Sequence, residues 1–311
     1  MRFFREEDVR RLLPMRTALQ LMRGVFAQLA TQRAANQPRR RLILPTGSAL
    51  HYMAGATEKY FGAKIYSTHP RQGAHFLFLL YRADDAKPLA LFEANSLGQI
   101  RTGAVSGHAT ALLARNDADT LGIIGSGFQA RSQLEAIACV RPLRSVKVWS
   151  RSPENRAAFA KEAARKFELD VRATETAREA VEGSTIVVTA TNARDPVIED
   201  GWIGRGVHIN AMGSNHEQRR ELPAELIRRA DLIAVDSLEQ ARIESGDLLL
   251  AFREDAWTRV VELQDVRGGP SDDALTIFKS LGLAVEDVAA AGYVYEQAIS
   301  EGIGTELPVY S

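Results

Sequence analysis

Residues 121–130 constrain the fold of this chain more than any other stretch, because an apolar run leads directly into a Gly-x-Gly-x-x-Ala turn. The run is typical of a strand buried on both faces, and the apolar-periodic segment after the turn predicts a helix ending near Val140. In such a turn Gly125 makes the tight bend, Gly127 lets the backbone approach a pyrophosphate, and Ala130 allows close helix–strand packing. The helix N-terminus would offer free N–H groups to phosphates. This context predicts a dinucleotide site; the alternative is a merely tight β-α turn.

The chain from Thr120 onward alternates strand-like and helix-like segments, which is the pattern of a parallel sheet. The predicted strands cover residues 121–125, 145–150, 169–173, 185–190, 207–212 and 232–236. We therefore expect an α/β domain with a Rossmann-type doubly wound parallel sheet over residues 118–300, ending in a helix at 283–300.

The earlier part of the chain shows a different pattern. Residues 8–35 have the apolar spacing of a helix, and residues 97–115 predict a second one. Between them, short strand-like runs punctuated by Gly, Pro and Asp predict an antiparallel meander with a hairpin turn at 83–88. These runs are residues 41–44, 49–53, 63–68, 74–81 and 89–93. We expect a separate α+β domain with an antiparallel sheet over residues 1–117, to which the tail, residues 301–311, can return.

Composition is that of an ordinary globular protein, with 45% apolar and 25% charged residues in a chain of 311. No apolar run approaches the roughly 18 residues of a membrane span, and residues 1–8 are charged, unlike a signal peptide. The single cysteine, Cys139, excludes an intrachain disulfide and is expected to be a core residue of the predicted helix. We therefore expect a cytoplasmic protein without a membrane partner.

Charge is spread unevenly along the sequence. Residues 1–115 hold 17 of the 39 Lys and Arg but only 7 of the 39 Asp and Glu. A basic first part fits a carboxylate or phosphate ligand drawn to it, or opposite charges that complement each other across a domain or subunit interface. No clustered basic stripe with aromatic residues is present, so nucleic acid is not an expected partner.

The end of the second strand of a Rossmann domain meets the adenosine ribose, where an acid selects a free 2′-hydroxyl and an arginine accommodates a 2′-phosphate. Here Trp149 is followed by Ser150, Arg151 and Ser152, and the first carboxylate is Glu154. Arg151 can pair with a phosphate, and the serines can hydrogen-bond to it. The sequence favours NADP(H), with NAD(H) possible; alternatively, Arg151 stacks on adenine or points into solvent.

An ordered set of short stretches resembles the ornithine cyclodeaminase/mu-crystallin family over most of the chain. The matching stretches are residues 62–64 (GAK), 101–104 (RTGA), 125–130 (GSGFQA), 187–191 (VVTAT), 208–213 (HINAMG), 235–237 (VDS) and 276–287 (TIFKSLGLAVED). The resemblance implies a two-domain homodimer whose first domain supplies the dimer interface and the substrate pocket. It also implies hydride exchange between a nicotinamide and the α-carbon of an amino or imino acid.

By this resemblance, three cations bind the substrate carboxylate, namely Arg41, Lys64 and Arg101, and no metal site is expected. Guanidinium groups suit this role because they bind a carboxylate in a bidentate manner. Arg41 is the least secure of the three, since Arg39 and Arg40 adjoin it. The implied cofactor-binding residues are Thr102, Gly125, Gly127, Phe128, Gln129, Ser150, Arg151, Ser152, Asn155, Thr189, Thr191, Met212, Gly213 and Leu281.

One position departs from the cyclodeaminase pattern. In that branch an Asp handles protons at the substrate amine, whereas this chain has Asn215, and an amide is not a general base near neutral pH. The segments at residues 149–152 and 278–280 are also closer to the mu-crystallin branch, whose members reduce ketimines with NADPH.

The leading hypothesis is therefore a reductase of a cyclic or α-imino acid, of the pyrroline-2-carboxylate type. Lys64 and Arg101 would act in catalysis by orienting the substrate, and Asn215 by hydrogen-bonding to the imine nitrogen or the cofactor carboxamide. The alternatives are ornithine cyclodeaminase or an NAD-dependent amino-acid dehydrogenase, and a non-catalytic protein that binds a ligand together with the nucleotide.

Overall fold

The computed structural model describes residues 1–309; Tyr310 and Ser311, the last residues of the predicted tail, lie outside the described residues. The chain forms two compact units, one of Met1–Arg101 together with the chain from Gly282 onward, and one of Thr102–Leu281. These bounds differ from the expected domains, since the last helix belongs to the first unit. The helix is held there by contacts such as the 2.9 Å hydrogen bond from Tyr60 Oη to Glu296 Oε1.

Strands and helices together make up most of the first unit. Its elements are β1 (Arg2–Phe4), α1 (Glu6–Leu12), α2 (Met15–Ala30), β2 (Ala35–Ile43), β3 (Ala49–Ala56), β4 (Tyr60–His69), β5 (Gly73–Arg82), β6 (Pro88–Glu93) and the start of α3 (Asn95–Leu113), which continues into the second unit.

The second unit alternates strands with helices, and the chain then returns to the first. Its elements are β7 (Thr120–Ile124), α4 (Phe128–Val140), β8 (Ser145–Trp149), α5 (Pro153–Phe167), β9 (Asp170–Ala173), α6 (Ala177–Val181), β10 (Ile186–Thr189), β11 (His208–Ala211), α7 (Ala224–Arg229), β12 (Leu232–Val235), α8 (Leu238–Glu244), α9 (Gly246–Leu249), β13 (Val260–Glu262) and β14 (Thr276–Lys279), followed in the first unit by α10 (Ala284–Glu301) and β15 (Thr305–Glu306).

The sheet of the first unit has the order β15-β1-β6-β5-β4-β3-β2. Strands β2 to β6 form the predicted antiparallel meander, while β1, which the sequence pattern did not reveal, pairs in parallel with β6 and antiparallel with β15. The segment predicted as one helix over residues 8–35 is two helices and the start of a strand. Pro14 separates the helices because it adopts an extended conformation at the N-cap of α2.

The sheet of the second unit is wholly parallel, in the order β13-β12-β14-β11-β10-β7-β8-β9. This agrees with the predicted doubly wound α/β class. Two strands, β13 and β14, were missed by the sequence prediction. Strand β14 inserts between β11 and β12, which precede it in the chain, so sequence order alone does not place it. None of the helices within residues 1–309 is both long and apolar enough to span a bilayer.

Candidate functional site

The turn after β7 has the backbone geometry that a dinucleotide requires. Gly125 has φ +115°, and a Cβ at this position would fall against the carbonyl oxygen of Ala190, so only glycine fits. Gly127 is the N-cap of α4, and a Cβ there would meet no atom within 4 Å. Ala130 is fully buried beneath the turn. The open N-terminus of α4 can therefore accept a pyrophosphate on its free N–H groups.

The same turn lies where the strand order reverses. Strand β7 has β8 on one side and β10 on the other, so the chain leaves it in one direction and later continues on the opposite side. Ligands of open α/β sheets bind at the carboxyl ends of the strands at such a switch point. Among the predicted residues, Phe128 opens α4 with half of its surface exposed. The carbonyl of its neighbour Gln129 accepts a hydrogen bond from Ser132 Oγ at 2.9 Å.

The loop after β8 holds the residues predicted to select the dinucleotide. Ser150 Oγ accepts a hydrogen bond from Ser126 Oγ at 2.8 Å, which ties this loop to the glycine turn. Ser152 is the N-cap of α5 and accepts from the backbone N–H of Asn155 at 3.1 Å. Arg151 is exposed, and its Nη2 lies 3.4 Å from Asn192 Oδ1. The loop thus presents a cation at the end of β8 while its serines fix the backbone.

A buried carboxylate that the sequence analysis missed, Glu221, organises the ends of β10 and β11. Its Oε1 accepts hydrogen bonds from Thr191 N and Oγ1 at 2.7 and 2.8 Å. Its Oε2 accepts from Thr189 Oγ1 at 2.9 Å and from Gly213 N at 2.7 Å. Three of the predicted cofactor residues therefore meet at one side chain. A fourth predicted residue at these strand ends, Met212, is half-buried, and its N–H donates to the Thr189 carbonyl at 3.0 Å.

Glu221 belongs to a cluster of buried charges with Asp247 and Lys279, which we name the scaffold cluster. Lys279 Nζ lies 2.9 Å from Asp247 Oδ2 and donates to the Ser214 carbonyl at 2.6 Å. Asp247 Oδ1 accepts from the N–H groups of Glu221 and Leu222 at 2.7 and 3.0 Å. Burial raises the pKa of Glu221, and Lys279 partly opposes that shift. The sequence signal was a lysine ending an otherwise apolar strand, which becomes meaningful only once β14 is known to be buried.

Lys64 and Arg101 come together in the first unit, where their side chains are 4% and 6% exposed. Lys64 Nζ donates to Asp287 Oδ1 at 2.8 Å, and Arg101 Nε donates to the same oxygen at 3.3 Å. Arg101 Nη1 also donates to Glu286 Oε2. Burial lowers the pKa of Lys64 to about 8, because Asp287 offsets only part of the shift. We name these four residues, together with Arg39, the carboxylate-site cluster.

Arg39, rather than Arg41, is the more deeply buried arginine of β2. Its Nη2 donates to the Gly282 carbonyl at 3.3 Å, and its charge lowers the pKa of Lys64. Arg41 is half-buried on the same face of the sheet, where it is paired in register with His51. The cross-strand register places both arginines on the face that carries Lys64, so both can serve an anion there.

An aromatic stack continues that face of the sheet. His51 lies 4.3 Å from Tyr66, and Tyr66 lies 4.6 Å from Phe76, measured between ring centroids. Burial lowers the pKa of His51 to about 4, and the positive charges of Arg41 and Arg39 make smaller contributions in the same direction. The imidazole is therefore neutral near pH 7 and forms an uncharged wall beside the cations.

The remaining predicted residues lie in the second unit. Thr102 is buried, and its carbonyl accepts a hydrogen bond from Gln133 Nε2 at 3.5 Å. Leu281 is buried and donates its N–H to Asp236 Oδ2 at 2.6 Å. Asn215 is exposed, directly after the buried Ser214. The structure thus brings the glycine turn, the β8 loop and the ends of β10 and β11 to one edge of the parallel sheet.

The chain is similar to proteins of one known family over nearly its whole length. Residues 2–302 match the model of the ornithine cyclodeaminase/mu-crystallin family. A Delta(1)-pyrroline-2-carboxylate reductase of Bacillus cereus is 37% identical over 287 residues, covering 88% of this chain and 86% of that protein.

Two solved structures have nearly the same fold over the whole chain. The Delta(1)-pyrroline-2-carboxylate reductase of Thermococcus litoralis, in complex with NADH and L-proline, is 33% identical with a TM-score of 0.94, covering 99% of this chain and 100% of that one. An archaeal alanine dehydrogenase dimer with bound NAD is 30% identical with a TM-score of 0.94, covering 100% and 99%.

Proposed function

The chain belongs to the ornithine cyclodeaminase/mu-crystallin family, and we propose that it is a nicotinamide-dependent enzyme that reduces a cyclic or α-imino acid to an α-amino acid. The observation that carries this proposal is the carboxylate-site cluster. Lys64 and Arg101 are buried side by side there, and Arg39 and Arg41 lie on the same face of the sheet, so the cluster gathers several cations in one place. Guanidinium and ammonium groups held together in this way are suited to binding a substrate carboxylate.

Each residue has a defined part in the proposed reaction. Lys64, Arg101 and Arg41 bind and orient the substrate carboxylate, and a guanidinium adds a fixed bidentate geometry. The bound nicotinamide supplies the hydride. A protonated imine is already electrophilic, so no strong protein acid is needed for that step. Asn215 is assigned a hydrogen bond to the imine nitrogen or the cofactor carboxamide, since an amide donates and accepts without changing its charge.

The first experiment is a spectrophotometric assay of the purified protein. NADPH or NADH absorbance is followed after addition of pyrroline-2-carboxylate or piperideine-2-carboxylate, and the product is identified as proline or pipecolate. Consumption of the nicotinamide with formation of the amino acid supports the proposal. Absence of turnover with every imino acid, despite tight NADPH binding, would instead favour the non-catalytic ligand-binding alternative.

Oxidation of an amino acid is the second candidate, favoured by the 30% identity to the alanine dehydrogenase over the full chain. The same carboxylate site would hold alanine, and NAD would accept the hydride. Alanine-dependent formation of NADH, faster than imine reduction, would establish it. Ornithine cyclodeamination is less supported, because Asn215 stands where that branch uses Asp. Release of ammonia and proline from ornithine would nevertheless prove that activity.

NADP(H) is the proposed cofactor, and Arg151 is the proposed reason. Its guanidinium is exposed at the end of β8, where a 2′-phosphate would lie, while the first carboxylate after it in the sequence, Glu154, accepts a hydrogen bond from Ser152 Oγ at 2.8 Å. The Thermococcus litoralis relative was solved with NADH, so fluorescence titration with both dinucleotides is the deciding measurement.

A cytoplasmic location is part of the same proposal, and cell fractionation tests it.

A homodimer is proposed through the outer face of the first unit's sheet. Leu42, Leu50, Tyr52 and Leu77 are 41–57% exposed there. The register sets Leu42 opposite Leu50, and Tyr52 and Leu77 on either side of Ile65, so these side chains form one apolar patch. Large exposed apolar patches mark interfaces. Light scattering should give twice the chain mass, and the double variant L50E/L77E should be monomeric.

A further inference from the structure

The peptide that joins Ser126 to Gly127 lies in the glycine turn but outside the helix that follows. The hydrogen-bond ladder of α4 begins at the carbonyl of its N-cap, Gly127, so it does not hold the peptide before it. Ser126 also stands between two glycines, which permit more backbone conformations than any other residue. Gly127 is exposed, so a ligand at the N-terminus of α4 can reach this peptide. A fixed orientation of the peptide therefore requires a partner outside the helix backbone.

The side chain of Arg131, near the start of α4, supplies that partner. Its Nη1 donates hydrogen bonds to the Ser126 carbonyl at 3.2 Å and to the Gly127 carbonyl at 3.1 Å. The carbonyl and the N–H of a trans peptide point in opposite directions, and the peptide bonds of the described residues are all trans. Because the Ser126 carbonyl points toward Arg131, the N–H of Gly127 points away from it. One nitrogen thus ties the turn to the first carbonyl of the helix.

The guanidinium of Arg131 is itself held by α5. Its Nε donates to Oε1 and Oε2 of Glu162 at 3.2 and 3.1 Å, and its Nη2 donates to Oε2 at 2.8 Å. Its Cζ also lies 5.6 Å from the ring centroid of Phe159, a buried residue of the same helix. A bidentate pair fixes the plane of the guanidinium as well as its position. With Nε and Nη2 turned to Glu162, Nη1 is held toward the turn.

We propose that Arg131 is a positioning residue of the dinucleotide site, which keeps the N–H of Gly127 facing the pyrophosphate, and that Glu162 holds Arg131 in place. This inference rests on the proposed function, and within it only on dinucleotide binding at the glycine turn. The backbone makes the phosphate contact, and Arg131 acts through the backbone. The pyrophosphate is common to NADH and NADPH, so Arg131 supports affinity for both, whereas Arg151 is proposed to meet the 2′-phosphate alone.

A second ion pair joins the same two helices and provides a matched control. Lys166, on α5, donates from Nζ to Glu135 Oε2, on α4, at 2.7 Å. This pair is exposed to a similar degree as the pair of Arg131 and Glu162. Within residues 1–309 it makes no hydrogen bond to the glycine turn. Loss of Lys166 therefore removes a brace between α4 and α5 without releasing the turn.

The test is calorimetric binding of NADH, NADPH and ADP-ribose to wild type, R131M, E162Q, the double variant R131M/E162Q and K166M. Methionine keeps an unbranched side chain beside Phe159 but cannot donate, so R131M should bind all three ligands about tenfold more weakly. E162Q should lose about threefold. The double variant should match R131M, because Glu162 acts through Arg131. K166M should bind as wild type does. At saturating NADPH, kcat and the KM for pyrroline-2-carboxylate should stay unchanged in R131M.

Four results would overturn the proposal. R131M with lowered thermal stability but wild-type affinity would show that Arg131 only braces the helices. Unchanged affinity for ADP-ribose beside weaker NADH binding would place the effect away from the pyrophosphate. Tighter binding by E162Q would mean that the released guanidinium meets the phosphate itself. Losses that multiply in the double variant would show that Glu162 does not act through Arg131.

The remaining outcomes separate this inference from the proposed function. If R131M does not fold, E162Q alone decides, because wild-type affinity in that variant also contradicts the proposal. Wild type that binds the dinucleotides without reducing an imine refutes the proposed reductase alone, and the affinities of the variants still decide the role of Arg131. Wild type that binds neither dinucleotide overturns both.

Discussion

The two units each bury a cluster of charges, but the clusters balance in opposite ways. In the scaffold cluster a single lysine faces two carboxylates, and those carboxylates also accept six hydrogen bonds from N–H and O–H groups of the same unit. In the carboxylate-site cluster Lys64 and Arg101 share Asp287 and Arg39 lies beside them, with Arg41 on the same face of the sheet, so cations predominate. Both clusters are buried, and they differ in the sign of the charge that predominates.

Because of this difference, mutations in the two clusters should have different effects. Loss of a charge in the scaffold cluster disturbs the backbone at the ends of β10 and β11, so it should affect folding and dinucleotide binding. Loss of a cation in the carboxylate-site cluster removes a proposed substrate contact, so it should weaken binding of the imino acid while leaving dinucleotide affinity intact. The following predictions are ordered by the size of the expected effect.

The largest effect is expected for K64A. Truncation removes one of the cations proposed to bind the substrate carboxylate and takes from Asp287 the amine that donates to it at 2.8 Å, so kcat/KM for the imino acid should fall about 1,000-fold. NADPH affinity, measured by fluorescence titration, should be unchanged. K59A, at an exposed lysine just before β4, is the matched control and should retain full activity. Near-normal kinetics in K64A would contradict the assigned site.

The next effect is expected for E221Q in the scaffold cluster. The amide keeps one acceptor oxygen but places an NH2 group against donors such as Gly213 N–H, which should lower the free energy of unfolding by about 2 kcal/mol. NADPH binding should weaken while KM for the imino acid at saturating NADPH stays close to wild type. Denaturant unfolding and titration measure both quantities. A change confined to the imino-acid KM would reverse the roles given to the two clusters.

A smaller effect is expected for R151A, outside both clusters. Loss of a charge-assisted contact to a 2′-phosphate should weaken NADPH binding about tenfold. NADH binding should hardly change, and the advantage of NADPH in wild type should shrink as salt concentration rises, because the contact is exposed. Equal losses for both dinucleotides would assign Arg151 to the adenine or the pyrophosphate instead.

The smallest effect concerns acidification. His51 has its pKa lowered to about 4 in the folded chain, whereas an unfolded histidine titrates near 6.5. The unfolded state therefore binds more protons between these values, so stability should fall as pH decreases from about 6.5 to 4. The contribution should be on the order of 1 kcal/mol. Urea unfolding at several pH values should show a weaker dependence in H51F, which keeps the aromatic stack; an identical dependence would exclude His51 as a source.

The parts of the structure that were predicted from sequence depend on local pattern. The glycine turn at residues 125–130 and the alternation after Thr120 identified the parallel sheet, because turn geometry and strand burial leave traces within a few residues. The apolar spacing over residues 8–35 did not reveal the break at Pro14, which lacks a backbone N–H and stands extended at the N-cap of α2. The placement of β14 within the sheet depends on long-range pairing and left no local trace.

The candidate site was predicted in the same uneven way. Lys64 and Arg101 were identified by resemblance, and the structure places them within hydrogen-bonding distance of a common carboxylate. Asp287 lies 223 residues from Lys64 in the sequence, and Glu221 lies 30 from Thr191. Such partners can be recognised only after the chain has folded, because nothing in their own neighbourhood indicates which group they will meet.

The late position of α10 and β14 in the chain has a consequence for the order of folding. A nascent chain that has emerged only as far as residue 275 has Lys64 and Arg101 but not Glu286 or Asp287, and it has β11 and β12 without the strand that joins them. Neither sheet can then reach its final arrangement, and apolar strand edges stay open, which favours aggregation. Synthesis of the residues after 275 is thus the step that allows each unit to complete its sheet, and premature termination there should leave an insoluble product.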